Sequence, residues 1–224
     1  MQVLKKITHV LYDMDGLLLN TESFYTEVTQ SIVSRYGKKF DWSLKSQMIG
    51  MRSIDAAHIL VDTLNLPTTA EEYLEECEAK LKDMFPLTQP LPGAIEITNH
   101  LHNASIPQAV ATSSDRNMFI LKTSHLKDWF DMFACVVTGD SPDVKRGKPA
   151  PDIFLSAANK LGANPEECLV FEDAPSGMEA ALNANMNVVV VPDPAMDKTV
   201  YKDAHQILNS LAEFQPELWG MPPL

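Results

Sequence analysis

A short apolar run, Ile7 to Tyr12, stops at Asp13-Met14-Asp15-Gly16, and the next run of its kind begins only at Gln108. Such a run, closed by a polar turn, reads as a parallel strand buried on both faces. The intervening chain has a different texture. Thr21 to Tyr36 shows helical spacing and stops at Gly37, and Ser53 to Leu64 shows it again. Thr69-Ala70-Glu71-Glu72 fits a capping box, opening a helix that carries Tyr73, Leu74, Cys77, Leu81 and Met84. The proline-dense stretch from Pro86 to Gly93 then reads as a linker.

After the linker, strands and helices alternate. Helix 94–103 leads to strand 108–112, and helical segments near 116–130 lead to strand 133–138. Helix 151–161 leads to strand 168–172, helix 177–184 to strand 187–191, and a last strand-helix pair falls within 204–213. This alternation implies βαβ units and a parallel sheet. The first strand belongs by texture with these later strands. The sequence therefore predicts an α/β fold: a Rossmann-like parallel-sheet core with an inserted α-helical cap domain. Residues 1–17 and 92–224 form the core, and 18–91 form the cap. Ligands of open α/β sheets bind at the carboxyl ends of the strands, so a cap inserted after the first strand would lie over the site as a lid.

The strand ends carry a consistent set of groups. Asp13 and Asp15 can point into one small volume, where one carboxylate could attack phosphorus and the other handle a proton. Hard oxygen ligands there suit Mg²⁺. Thr112-Ser113-Ser114 offers hydroxyls and backbone N–H groups to a phosphate oxygen. Lys148, in Gly147-Lys148-Pro149, offers a compact positive charge. Glu172-Asp173 crowds two acids at the end of an apolar strand, which a bound cation would offset. Each group alone is also consistent with a turn, a helix cap or a surface side chain. The combination of four strand ends points to a metal-assisted phosphoryl site.

Composition narrows the partners. Of 224 residues, 45% are hydrophobic and 21% charged, as in an ordinary globular protein, and the formal net charge is −12. An acidic surface repels nucleic-acid backbones and anionic membranes, so neither is expected as a partner. Three cysteines, at 77, 135 and 168, give no disulfide framework and no zinc spacing. Lys5-Lys6 precedes an apolar stretch that Asp13 interrupts too early for a signal peptide, and no run is long enough to span a bilayer. The expectation is a cytoplasmic protein, and a monomer, since no long apolar seam stands out.

Asp13-x-Asp15, Thr112, Lys148 and Glu172-Asp173 resemble the four motifs of the haloacid-dehalogenase-like phosphatases. The resemblance spans the whole chain, and Gly147 to Phe154 and Phe171 to Gly177 carry its most specific stretches. It implies a phosphomonoester hydrolase with Asp13 as nucleophile and Asp15 as general acid and base. Thr112, Ser113 and Lys148 would bind phosphate. Mg²⁺ would be held by Asp13, the Asp15 carbonyl, Asp173 and Glu172. It also implies a small phosphorylated metabolite as substrate. Related sugar-phosphate mutases use a cap arginine near Arg52 to hold a second phosphate, so a mutase is the alternative. A non-catalytic binding protein would show eroded motifs, and none is eroded here. One departure is Asp115-Arg116, where a relative has small, uncharged residues.

Overall fold

The computed structural model describes residues 6–49 and 51–224. Strand β1 (His9–Tyr12) is followed by helices α1 (Glu22–Ser34), α2 (Trp42–Met48), α3 (Ser53–Leu64) and α4 (Ala70–Leu81). Alternation then begins: α5 (Ala94–Asn103), β2 (Gln108–Ala111), α6 (Arg116–Thr123), α7 (Lys127–Phe130), β3 (Cys135–Val137), α8 (Asp152–Leu161), β4 (Cys168–Glu172), α9 (Pro175–Asn183), β5 (Asn187–Val190) and β6 (Gln206–Ile207). The six strands form one sheet in the order β3-β2-β1-β4-β5-β6. Every pairing is parallel. The predicted Rossmann-like core with its helical insert is the fold observed.

Side-chain alternation along the strands separates two hydrophobic layers. Val10, Tyr12, Val110, Leu169, Phe171 and Val189 face one layer, which also takes in Ile97, Trp129, Phe214 and Trp219. Leu11, Ala109, Ala111, Val137, Val170 and Val188 face the other, with Phe154, Met178 and Tyr201. A sheet covered on both faces explains why its strands read as unbroken apolar runs. The insert has a separate core of Val28, Ile32, Leu44, Leu60, Tyr73, Leu81 and Phe85.

The capping box forms as expected. Glu72 N–H donates to Thr69 Oγ1 at 3.1 Å, and Thr69 N–H donates to Glu72 Oε2 at 3.0 Å. Helix α2 is a short element that the sequence reading left unresolved within its helical block; Asp41 caps it by accepting from Leu44 N–H. The strand-helix pair expected within 204–213 is a two-residue strand and a single 3-10 turn, Leu211–Glu213. The tail has little need of a longer helix, because Leu211, Phe214, Trp219 and Met221 already plug the first layer. Its backbone crosses Gly93, at φ +86, so closely that a Cβ there would stand 2.1 Å from Ala212 N.

The insert joins the core through a two-stranded stem. Leu91 N–H donates to Leu18 O and Asn20 N–H to Gln89 O, both at 2.9 Å, and Leu19 bridges Pro90 in antiparallel register. Leu17, Leu18 and Leu19 pack in the first layer of the core.

Candidate active site

β1 sits in the middle of the sheet, and its carboxyl end delivers Asp13 to the centre of that edge. β4 pairs beside it, with Tyr12 opposite Phe171, and delivers Glu172 and Asp173. β2, on the other flank, delivers Thr112. Lys148 arrives from the loop before α8. All five side chains are buried.

Lys148 Nζ donates to Asp13 Oδ1 and to Glu172 Oε1, each at 2.5 Å. Glu172 Oε2 accepts from the backbone N–H groups of Asp173 at 3.1 Å and Ala174 at 3.2 Å. Both Glu172 oxygens are therefore engaged within the protein. Ligand oxygens of Asp13, Glu172 and Asp173 lie within 4.8 Å of one another. One lysine cannot neutralise three buried carboxylates. Burial raises the Asp13 carboxyl to about 7; Lys148 pulls it down, while Glu172 and Asp15 push it up. Burial also lifts Asp173 well above its ordinary value, with Glu172 and Asp13 adding to the rise.

This donor set fits a divalent cation. Three hard oxygen donors converge, and their excess negative charge destabilises the ionised state unless a cation offsets it. The turn also leaves room. Gly16 adopts φ +81, and a Cβ there would stand 2.5 Å from Asp173 Oδ2.

Asp15 is held differently. Its Oδ1 accepts from Lys122 Nζ at 2.6 Å and Thr21 Oγ1 at 2.7 Å. Its Oδ2 accepts from Ser114 Oγ at 2.9 Å and Thr112 Oγ1 at 3.3 Å. Burial works to raise its pKa, but the Lys122 charge and the hydrogen bonds of Lys122, Thr21 and Ser114 outweigh it and leave the carboxyl below its ordinary value. Lys122 is fully buried and also donates to Tyr25 OH at 2.9 Å and Ser114 Oγ at 2.8 Å. Lys122, Tyr25 and Thr21 were not among the sequence-predicted site residues, and Ser114, expected beside the phosphate, bonds Asp15 instead. A lysine within a helical segment carries no local sign of burial, and only the chain's return past Asp15 reveals its partner.

A cavity of about 140 Å³ opens over Asp13 and Asp15 and runs up into the insert. Ser113 lines it, with Ser114 and Met118, and the insert contributes Glu22, Tyr25, Thr29, Lys45, Ser53, Tyr73 and Glu78 among others. Arg52 does not line it, although Met51 and Ser53 do. Arg52 instead pairs with Asp55 at 2.9 Å. Its stem lies against Gly147, where a Cβ would stand 2.8 Å from Arg52 Cγ and Cδ. Arg116 lies over the Phe119 ring.

The model of the haloacid dehalogenase-like hydrolases matches residues 10–191. The chain belongs to this family, and it is a phosphatase. It is 50% identical to (DL)-glycerol-3-phosphatase 2 of Arabidopsis thaliana, over 97% of this chain and 92% of that protein. It is 43% identical to a probable pseudouridine-5′-phosphatase of Drosophila melanogaster, over 99% of this chain and 97% of that one. Among solved structures, a putative β-phosphoglucomutase from Thermotoga maritima superposes with a TM-score of 0.73 at 28% identity, covering 96% of this chain and 97% of that one.

Proposed function

We propose that the protein is a Mg²⁺-dependent phosphomonoester hydrolase that works through an aspartyl-phosphate on Asp13. Its substrate is pseudouridine 5′-phosphate or a comparable small nucleotide, sugar or polyol phosphate. The observation that carries this reading is the meeting of Asp13 with Lys148, Glu172 and Asp173 at one strand edge, beneath a cavity wide enough for a small leaving group.

In this scheme Asp15, ionised in the free protein, first takes the proton of the substrate's monoanionic phosphate. An Asp13 oxygen then bonds to phosphorus as the ester oxygen leaves with that proton. Asp15 then takes a proton from water as that water attacks the aspartyl-phosphate, releasing inorganic phosphate and restoring Asp13. Thr112, Ser113 and Lys148 hold the phosphoryl oxygens, the kind of fixed positioning on which phosphoryl transfer chiefly depends. Asp13, Asp173 and the Asp15 carbonyl would hold Mg²⁺, which when bound neutralises charge on the transferring group. Glu172, its oxygens already engaged, serves mainly to orient Lys148 and the Asp173 backbone. Residues 18–91 act as the cap, excluding water during the first step and opening for product release.

Two relatives carry names that point to nucleotide and glycerol phosphates, and both leaving groups are uncharged alcohols. A sugar phosphomutase would need a cation for a second phosphate. Arg52 was the candidate, and its pairing with Asp55 outside the cavity favours the hydrolase. No described helix is long and apolar enough to cross a membrane. The three cysteines are free, in keeping with a cytoplasmic protein.

The test is a phosphate-release screen over nucleotides, sugar phosphates and glycerol phosphates, including pseudouridine 5′-phosphate, with Mg²⁺ and with chelator. Release that needs Mg²⁺ and yields no positional isomer of the substrate is the expected result. Activity indifferent to chelator removes the metal, and isomer formation revives the mutase.

A further inference from the structure

The cap wall of the cavity has a one-sided charge inventory. Among the described residues lining it, the acids beyond Asp13 and Asp15 are Glu22 and Glu78, and the cation is Lys45. Lys45 is already engaged. Its Nζ lies 3.2 Å from Glu22 Oε2 and donates to Thr26 Oγ1 at 2.8 Å and Glu22 O at 3.3 Å. Three partners use its three N–H groups. Lys122 and Lys148 are consumed in the same way by the catalytic carboxylates.

Glu78 stands on α4, lines the cavity and is exposed to solvent. Partial burial and the negative charges of Asp115, on the core side, and Glu75 all push its carboxyl up. Glu78 thus has two further carboxylates near it, Glu75 on the cap and Asp115 on the core. The other polar groups of the cap wall are hydroxyls, on Tyr25, Ser53 and the Thr29–Tyr73 pair bonded at 2.8 Å, set among apolar side chains such as Phe40, Ile49 and Leu74.

We propose that Glu78, backed by the Glu22–Lys45 pair, confines the enzyme to uncharged, hydroxyl-bearing leaving groups and rejects substrates with a second anion. The inference rests on the phosphatase reading and adds the rule by which substrates are chosen. An anionic leaving group would bring like charge beside Glu78 inside a partly desolvated cavity and would find no unpaired lysine or arginine on the wall. Rejection through unpaired charge gives stronger discrimination than a change in apolar fit.

The experiment uses the full chain with Mg²⁺ and substrate pairs that differ by one carboxylate: glycerol 3-phosphate against 3-phosphoglycerate, and uridine 5′-phosphate against orotidine 5′-phosphate. The wild type should prefer the neutral member of any pair it cleaves by about 100-fold in kcat/KM. Glu78→Gln should narrow that ratio about 10-fold and Glu78→Lys further, chiefly through KM of the anionic member. Glu78 is exposed, so both variants should fold. A wild type that cleaves neutral and anionic members within threefold overturns the proposal. So does a ratio that Glu78→Lys leaves unmoved. Release of phosphate from no ester at all overturns the phosphatase reading instead.

Discussion

Lys122 Nζ lies 2.6 Å from Asp15 Oδ1, joining a fully buried ammonium on α6 to the second aspartate of the β1 turn. The same ammonium reaches Tyr25 on α1 and sits 4.7 Å from the centre of the Phe85 ring, so it touches both the departing and the returning arms of the insert.

Lys122→Met strands this arrangement. Removing one partner of a buried ion pair costs about 3–5 kcal/mol. At about 2–4 °C per kcal/mol for a chain of this size, the melting temperature should fall by roughly 10 °C. Asp15 is depressed in the folded state, so its stabilising contribution is complete above the ordinary carboxylate range and is lost as pH falls through its folded value. The melting-temperature gap between wild type and variant should be full at neutral pH and shrink below about pH 4. Thermal melts across pH check this; a gap independent of pH would mean that Lys122 acts through packing alone.

Asp13 has the opposite linkage. Its folded value of about 7 lies above the ordinary 3.8, so in metal-free protein its ionisation costs stability as pH rises between those values. Chelator-treated wild type should show this loss from about pH 4 to about pH 7, and Asp13→Asn should lack that component. The variant should also lose all turnover while keeping its fold by circular dichroism. Near-normal turnover would remove Asp13 as nucleophile.

Glu172→Gln separates a positioning role from a metal-binding one. The amide could still accept from Lys148, but its NH₂ would face the N–H groups of Asp173 and Ala174 that Oε2 now serves. We expect kcat to fall by about 10- to 100-fold, the range found when an orienting partner is lost. The Mg²⁺ concentration for half-maximal activity should change little, whereas Asp173→Asn should raise it sharply. A large rise in Glu172→Gln would make Glu172 a direct ligand.

Gly16→Ala tests the turn. An L-residue at φ +81 is strained by about 1–2 kcal/mol, and its methyl would press on Asp173 Oδ2. Weakened Mg²⁺ binding by calorimetry, beyond any loss of melting temperature, is the expected signature. Unaltered affinity would show that Asp173 can yield without cost to the metal.

The strands and the groups at their ends were legible because a doubly covered sheet leaves apolar runs that break abruptly at polar residues. Asp13, Lys148, Glu172 and Asp173 were visible for that reason, and they do converge. Thr112 reaches Asp15, and Ser113 borders the cavity. The cap was less readable. Its helices could be seen from their spacing, but α2 has only seven residues, too few for a periodic pattern to stand out. Arg52 looked like a substrate contact because of its position in the chain, while Asp55, one turn on, takes its charge. Lys122 and Tyr25 stay hidden for a general reason: the pairing of distant polar groups leaves no periodicity behind.

The paired stem at Leu18 to Asn20 and Gln89 to Leu91 has a consequence for engineering. Backbone partners that far apart in sequence stand one hydrogen bond apart in space. The whole insert could therefore be excised as a cassette and its two cut ends rejoined, or fitted to an insert from another member of the family. Such a graft would exchange the reader of the alcohol, and the new insert would have to carry equivalents of Thr21 and Tyr25, which hold Asp15 and Lys122.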